Sequence, residues 1–137
     1  MAESTLVKKL KLKAGQRAAL IHAPQGYREA LTPLPEGVKL GDELEGAFDW
    51  LQLFVQNRLE LEGIISQVIA ALKPTGLLWI SFPKGASGIQ TDLTRDVGWE
   101  SLQKYGLKWT NLISVDDTWS AFSLRHFKPG EARTSFR

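Results

Sequence analysis

His22 is the best-placed titratable side chain in the chain. It closes a short apolar run, Arg17 to His22, and a base or ligand contact at the end of a buried strand is a common way to meet a small molecule. A second group lies in the loop Pro83-Lys84-Gly85-Ala86-Ser87-Gly88. There Lys84, Ser87, Gly88 and the loop's backbone amides can hold an anion. The loop is no phosphate-binding P-loop, because the order Gly-Lys-Ser/Thr is missing. Asp92 ends this segment, Gly26 and Tyr27 follow His22, and Asp117 and Trp119 belong to a turn near the end of the chain. His22, Gly26, Tyr27, Lys84, Ser87, Gly88, Asp92, Asp117 and Trp119 are the candidate ligand-binding residues. Each also has a structural reading: glycines for positive φ, Asp92 or Thr94 as the cap of the helix that follows, at least one of Asp116 and Asp117 as a turn former, Trp119 as edge packing. Asp116 and Asp117 are adjacent and point to opposite faces of an extended strand, so they make no acid–base pair. No nucleophile accompanies His22, and no catalytic residue is assigned.

Composition narrows the chemistry further. The chain has no cysteine, which excludes disulfides, thiolate metal sites and cysteine nucleophiles. Two histidines without a clustered carboxylate give no expected metal site, and no cofactor is predicted. The 137 residues suit one domain, read as 1–128 with a polar, frayed tail over 129–137. Apolar residues are 43% and charged residues 23%, an ordinary globular balance. The net charge of +2 is unevenly spread: residues 1–28 hold six cations against Glu3, and residues 29–62 hold eight acids against Lys39 and Arg58. No nucleic-acid motif accompanies the basic stretch, so nucleic acid is not an expected partner. The polar start lacks the pattern of a secretory leader, and the longest apolar run, Gly76 to Phe82, falls far short of the roughly 18 residues of a spanning helix. A cytoplasmic protein without membrane contact is the expectation.

Periodicity supplies the elements that must position these residues. Ser4 or Thr5 can cap a short helix with Leu6, Val7 and Leu10. Arg17 to His22 reads as a strand, Ala23 to Gly26 as a turn, and Tyr27 to Leu31 as one helical turn broken by Pro33 and Pro35. The Pro/Gly/acid-rich stretch 32–46 holds at most an edge strand near Val38 to Leu40. Phe48 to Val55 is almost continuously apolar, as in a central parallel strand. Asn57 can cap a helix with Leu59, Ile64, Ile65, Val68, Ile69 and Leu72 inward, ended by Pro74 and Gly76. Leu77 to Phe82 is the next strand, which makes a right-handed βαβ unit. Thr94 to Tyr105 reads as a helix with Val97, Leu102 and Tyr105 inward. Leu107 to Val115 and Trp119 to Phe127 then form an antiparallel hairpin. The sum is an α/β three-layer sandwich with a mostly parallel sheet.

Several of these segments resemble class I methyltransferases. Leu12-Lys13-Ala14-Gly15-Gln16-Arg17 is similar to the entry to their first strand, and Phe48 to Phe54 to their fourth. Ala71-Leu72-Lys73-Pro74-Thr75-Gly76-Leu77-Leu78-Trp79-Ile80 is similar to the helix-to-strand step Leu-Lys-Pro-Gly-Gly. Three elements in order also resemble the short bacterial family called domain of unknown function 3052. They are Ala23-Pro24-Gln25-Gly26-Tyr27, then Pro83, Lys84, Ser87, Gly88, Thr91, Asp92 and Leu93, then Asp116-Asp117-Thr118-Trp119-Ser120. The resemblance implies a cut-down methyltransferase-like Rossmann sheet with an antiparallel C-terminal hairpin, and no known activity.

The departures from the methyltransferase pattern shape the functional expectation. Those enzymes place a Gly-rich turn after the first strand, whereas this chain has His22-Ala23-Pro24-Gln25-Gly26, with one glycine and a proline that donates no N–H. The acid expected after the second strand has no clear counterpart, with Glu43 and Glu45 candidates by default. The cysteine of cytosine C5 methylation and the Asn/Asp-Pro-Pro-aromatic element are absent. The expectation is therefore a methyltransferase-like module without methyltransferase activity, acting through a protein partner of unknown identity or through self-association. The alternative is a small-molecule or nucleotide binder or enzyme using the strand-end loops, with an S-adenosylmethionine-type ligand among its options.

Overall fold

The computed structural model describes residues 4–131. Its strands are β1 (Arg17–Ile21), β2 (Lys39–Gly41), β3 (Phe48–Phe54), β4 (Leu72–Pro83), β5 (Lys108–Ser114) and β6 (Trp119–Arg125). They pair in one sheet in the order β2-β1-β3-β4-β6-β5. The first four are parallel, β6 runs antiparallel to β4, and β5 closes the hairpin at the edge. Three helices, α1 (Thr5–Lys9), α2 (Tyr27–Leu31) and α3 (Arg58–Ala70), complete the main elements.

Alternation along the strands divides the core. Trp50, Phe54 and Trp79 join Val7, Leu10, Tyr27 and Leu31 on the α1/α2 face. Leu51, Leu53, Leu78 and Ile80 join Leu61, Ile65 and Val68 of α3 on the other. Both faces are covered, which is why β3 reads as a nearly continuous apolar run. At about 1.5–3 kcal/mol for each large apolar side chain removed from water, these two layers dominate the stability of the sheet.

Short helices survive because tertiary bonds hold them. Ser4 Oγ accepts from Val7 N at 3.0 Å and donates to the Leu31 carbonyl at 2.8 Å, tying α1 to α2. The indoles of Trp50 and Trp79 both donate to the Leu10 carbonyl, at 2.9 and 2.7 Å, where α1 ends. Five residues make too short a helix to persist alone in water, so the sheet supplies its stability.

Three expectations are corrected. Leu59 is 81% exposed, and Leu61, Ile65 and Val68 face the sheet instead. The apolar stripe of α3 starts two residues later because Asn57, whose Oδ1 accepts from Glu60 N at 2.9 Å, sets the helix phase. Leu72, expected on that helix, already pairs with Phe48 as the first residue of β4. The register then shifts between Phe48 and Trp50, so Pro74 and Gly76 lie inside an irregular strand. A side chain at 76 would meet Phe48 O at 2.9 Å, which explains the glycine.

The third correction is the helix expected over 94–105. Only a 3-10 helix, Glu100–Tyr105, forms there, and Val97 is 52% exposed. Gly98 has φ +106, and any Cβ on it would come within 3.0 Å of Asp92 O, so the chain turns where a helix would continue. At the other end, Glu131 pairs with Lys108 at 2.8 Å and Arg125 at 2.7 Å, which anchors the start of the expected tail. Residues 132–137 of that tail lie outside the described residues.

Candidate functional site

The chain runs from β1 outward to β2 at the sheet edge, then returns to β3 on the other side of β1. The connections leaving β1 and β3 therefore diverge, and a crevice at such a point is where doubly wound sheets take ligands. His22 stands there with φ +60, a left-handed conformation that costs a non-glycine residue roughly 1–2 kcal/mol. It is exposed, and Gly26, also left-handed, opens α2 without a side-chain cap.

Beside them opens a cleft of about 430 Å³, lined by His22, Ala23, Pro24, Gly26, Arg28 and Asp42 among others. Its size falls within the usual range for small-molecule sites, roughly 300–1,000 Å³. Asp42 is the first residue after β2. It is an acid directly after β2, one residue before Glu43, where the sequence offered Glu43 and Glu45 by default. The Arg28 guanidinium donates to the Leu40 carbonyl at 2.9 Å and braces α2 against β2.

The centre of the crevice is filled. Tyr27 is only 4% exposed, and its ring packs edge-on against Phe54 with centroids 4.7 Å apart. Trp119, 7% exposed, also packs edge-on with Phe54, centroids 5.1 Å apart. The Tyr27 hydroxyl donates to Gln52 Oε1 at 2.9 Å, and Gln52 Nε2 donates to Ser81 Oγ at 3.0 Å. Burial pushes the Tyr27 phenol well above its ordinary range, against the lowering effect of its bond to Gln52; Asp116 adds a smaller upward push. Tyr27 and Trp119 thus serve as packing groups here. Gln52 and Ser81 were not singled out from the sequence, although a glutamine inside an apolar strand is a visible signal of a buried polar contact.

The other candidates lie beyond β4. Lys84 donates its backbone N–H to Thr118 O at 2.8 Å and its ammonium to Ser114 Oγ at 2.5 Å. Ser87 Oγ accepts from Ile89 N at 3.2 Å, and Gly88, with φ +83, closes the 3-10 turn Gly85–Ser87. Asp92 Oδ1 accepts from Arg58 N at 2.8 Å and so caps the first turn of the earlier helix α3, not the helix expected after it, because only a 3-10 helix without a side-chain cap forms there. Asp117 is exposed at the hairpin tip, while Asp116 Oδ1 accepts from Thr118 N and Trp119 N at 2.8 and 2.9 Å. A crevice of about 580 Å³ beyond β4 and β6 includes Lys84 in its lining and shares no lining residue with the first cleft.

A further cleft of about 380 Å³ lies on the β2 edge, reaching the start of β1 and β3. Its Arg17 is already committed to the Ala47 and Glu45 carbonyls and to the face of Phe48, 4.1 Å away. Among the described residues no group of three or more His, Asp and Glu is placed to hold a metal, and no helix is long and apolar enough to cross a membrane.

This sheet order and its covering helices define a class, the α/β Rossmann-like methyltransferase fold. The solved structures agree. A TehB-like SAM-dependent methyltransferase from Corynebacterium glutamicum superimposes with TM-score 0.59 and 13% identity over 90% of this chain and 86% of its own. A precorrin-6y C5,15-methyltransferase from Geobacter metallireducens gives 0.58 and 14%, over 89% and 86%. The DhpI–SAH complex gives 0.56 and 12%, over 90% and 82%. No family model and no curated protein matches the chain.

Proposed function

We propose that this chain is a methyltransferase-fold binding module that holds a nucleoside-bearing small molecule, of the S-adenosyl class, between the ends of β1 and β2 without transferring a methyl group. The observation that carries the reading is Asp42. A carboxylate at the carboxyl end of β2, facing a cleft of nucleoside size, can accept hydrogen bonds from a pair of ribose hydroxyls. Gly26 leaves its side open, since a Cβ there would meet nothing within 4 Å. Pro24 gives the turn fewer N–H donors than a glycine loop would, so affinity rests more on Asp42 and on packing. Solved neighbours include a fibrillarin from Aeropyrum pernix with natively bound S-adenosyl-L-methionine, at 14% identity and TM-score 0.50, which supports the ligand class by fold alone.

Support for binding without transfer comes from the Tyr27–Phe54–Trp119 rings, which stand at the crevice centre with a separate cleft on either side. The three sequence elements that resemble domain of unknown function 3052 meet there too. Tyr27 of the first and Trp119 of the third pack on Phe54, and Lys84 of the second bonds Thr118 of the third. Membership of that family is part of this proposal.

Calorimetry and thermal unfolding with S-adenosyl-homocysteine and adenosine test the reading. A ligand at a hundred times its Kd adds about 2.7 kcal/mol, enough to raise Tm by several degrees. Asp42→Asn should abolish the gain. No gain with either ligand overturns the proposal.

A second reading, self-association, is favoured by exposed Leu59 and Val97, which flank the contact of Arg58 with Glu100 at 3.6 Å. Light scattering of the wild type against Leu59→Glu decides it: a dimer lost in the variant supports it, and a monomer at every concentration removes it.

A further inference from the structure

We infer that the crevice beyond β4 and the start of β6 is a second ligand site, one that takes a small organic anion, a carboxylate or phosphate ester carrying an apolar body. The crevice is larger than the Asp42 cleft, about 580 against 430 Å³. Its floor is apolar: Phe82 and Leu93 are buried, and Ile89 flanks them. Its polar lining is one-signed. Lys84 and Arg95 contribute two cations, Ser120 a hydroxyl, and no carboxylate lines it. An apolar floor with a few convergent polar groups is the usual build of a small-molecule site.

The position of Lys84 strengthens the argument. Its backbone is pinned to Thr118 and its ammonium rests on the neutral Ser114 hydroxyl. Lys9 brings a second ammonium to the same residue, bonding the Ser114 carbonyl. Ser114 and Lys9 lie outside the crevice lining, so Lys84 at its rim is the group through which this charge reaches an anion there. The nearest carboxylates in sequence, Asp116 and Asp117, belong to the hairpin turn, and neither lines the crevice. A lysine already held by the hairpin also loses less freedom on binding than a free one.

The experiment is a calorimetric titration of the full chain with phenyl phosphate and benzoate. Benzyl alcohol serves as the neutral control and inorganic phosphate as the anion without a body. The anions with a ring should bind about tenfold or more tightly than either control, with affinity falling as salt rises. Lys84→Gln should weaken them about tenfold, Lys84→Arg should retain them, and both variants should unfold at the wild-type temperature. Asp42→Asn should leave this binding intact, which keeps the test separate from that of the nucleoside cleft. Equal binding of benzyl alcohol, equal binding of inorganic phosphate, or an unchanged affinity in Lys84→Gln each overturns the inference.

Discussion

The Tyr27 hydroxyl lies 2.9 Å from Gln52 Oε1, joining α2 to the central strand of the sheet across 25 residues of sequence. Removing the hydroxyl leaves the Gln52 carbonyl oxygen buried without that donor. Tyr27→Phe should therefore lower stability by about 1–3 kcal/mol, read from urea unfolding. The raised phenol pKa has its own consequence. The neutral form is favoured on folding, so this contribution is full below the ordinary tyrosine value, about 10, and fades as pH rises past it. The wild type should lose stability above that pH more steeply than Tyr27→Phe does.

Trp50 and Trp79 make a coupled pair through one acceptor. Either indole alone still satisfies the Leu10 carbonyl. Each single Trp→Phe change should cost the lost packing plus about 1 kcal/mol for the bond. The double change leaves the carbonyl unsatisfied and should cost more than the sum, by about 0.5–3 kcal/mol in a double-mutant cycle. Strict additivity would show that the shared carbonyl does not couple them.

Acid should loosen the C-terminal end. The Arg125 guanidinium, then Lys108 and Lys128 N, hold the Glu131 carboxyl below the usual range. Asp49 is lowered first by the Arg17 backbone N–H, with Lys73 adding to it at 3.1 Å. Lowered carboxylates contribute stability above their unfolded values, near 4, and lose it as pH falls below them. Unfolding followed from pH 6 to pH 2 should show this loss, and Glu131→Gln should flatten the profile.

His22→Gly separates backbone from ligand. Glycine accepts φ +60 freely, so the variant should be as stable as the wild type to within about 1 kcal/mol. If His22 also touches the ligand of the Asp42 cleft, adenosine binding should weaken in this variant while Tm holds.

The parallel core was legible because its signals are local. The run from Phe48 to Phe54, the Asn57 cap and the two strands around Asp116-Asp117-Thr118 each carry their own pattern. Other features depend on distant partners. The end of β2 at Gly41, and so the place of Asp42, is set by its pairing with Ala19. The close packing at Gly98 involves Arg58, forty residues earlier, whereas the exposure of Leu59 follows from the local helix phase at Asn57 and was misread from the apolar pattern. The candidate loops were found, but Tyr27 reads as a ligand contact in sequence and as packing once it stands against Phe54, while the edge-packing reading of Trp119 agrees with its contact on the same ring.

Strand β5 lies at the margin of the sheet, where free N–H and C=O groups can recruit a foreign strand. Its last residue, Ser114, has its carbonyl occupied by the Lys9 ammonium from the opposite end of the chain. That charged stopper blunts the terminus of the open edge, so templated, amyloid-like growth meets a cation where it would otherwise find an acceptor.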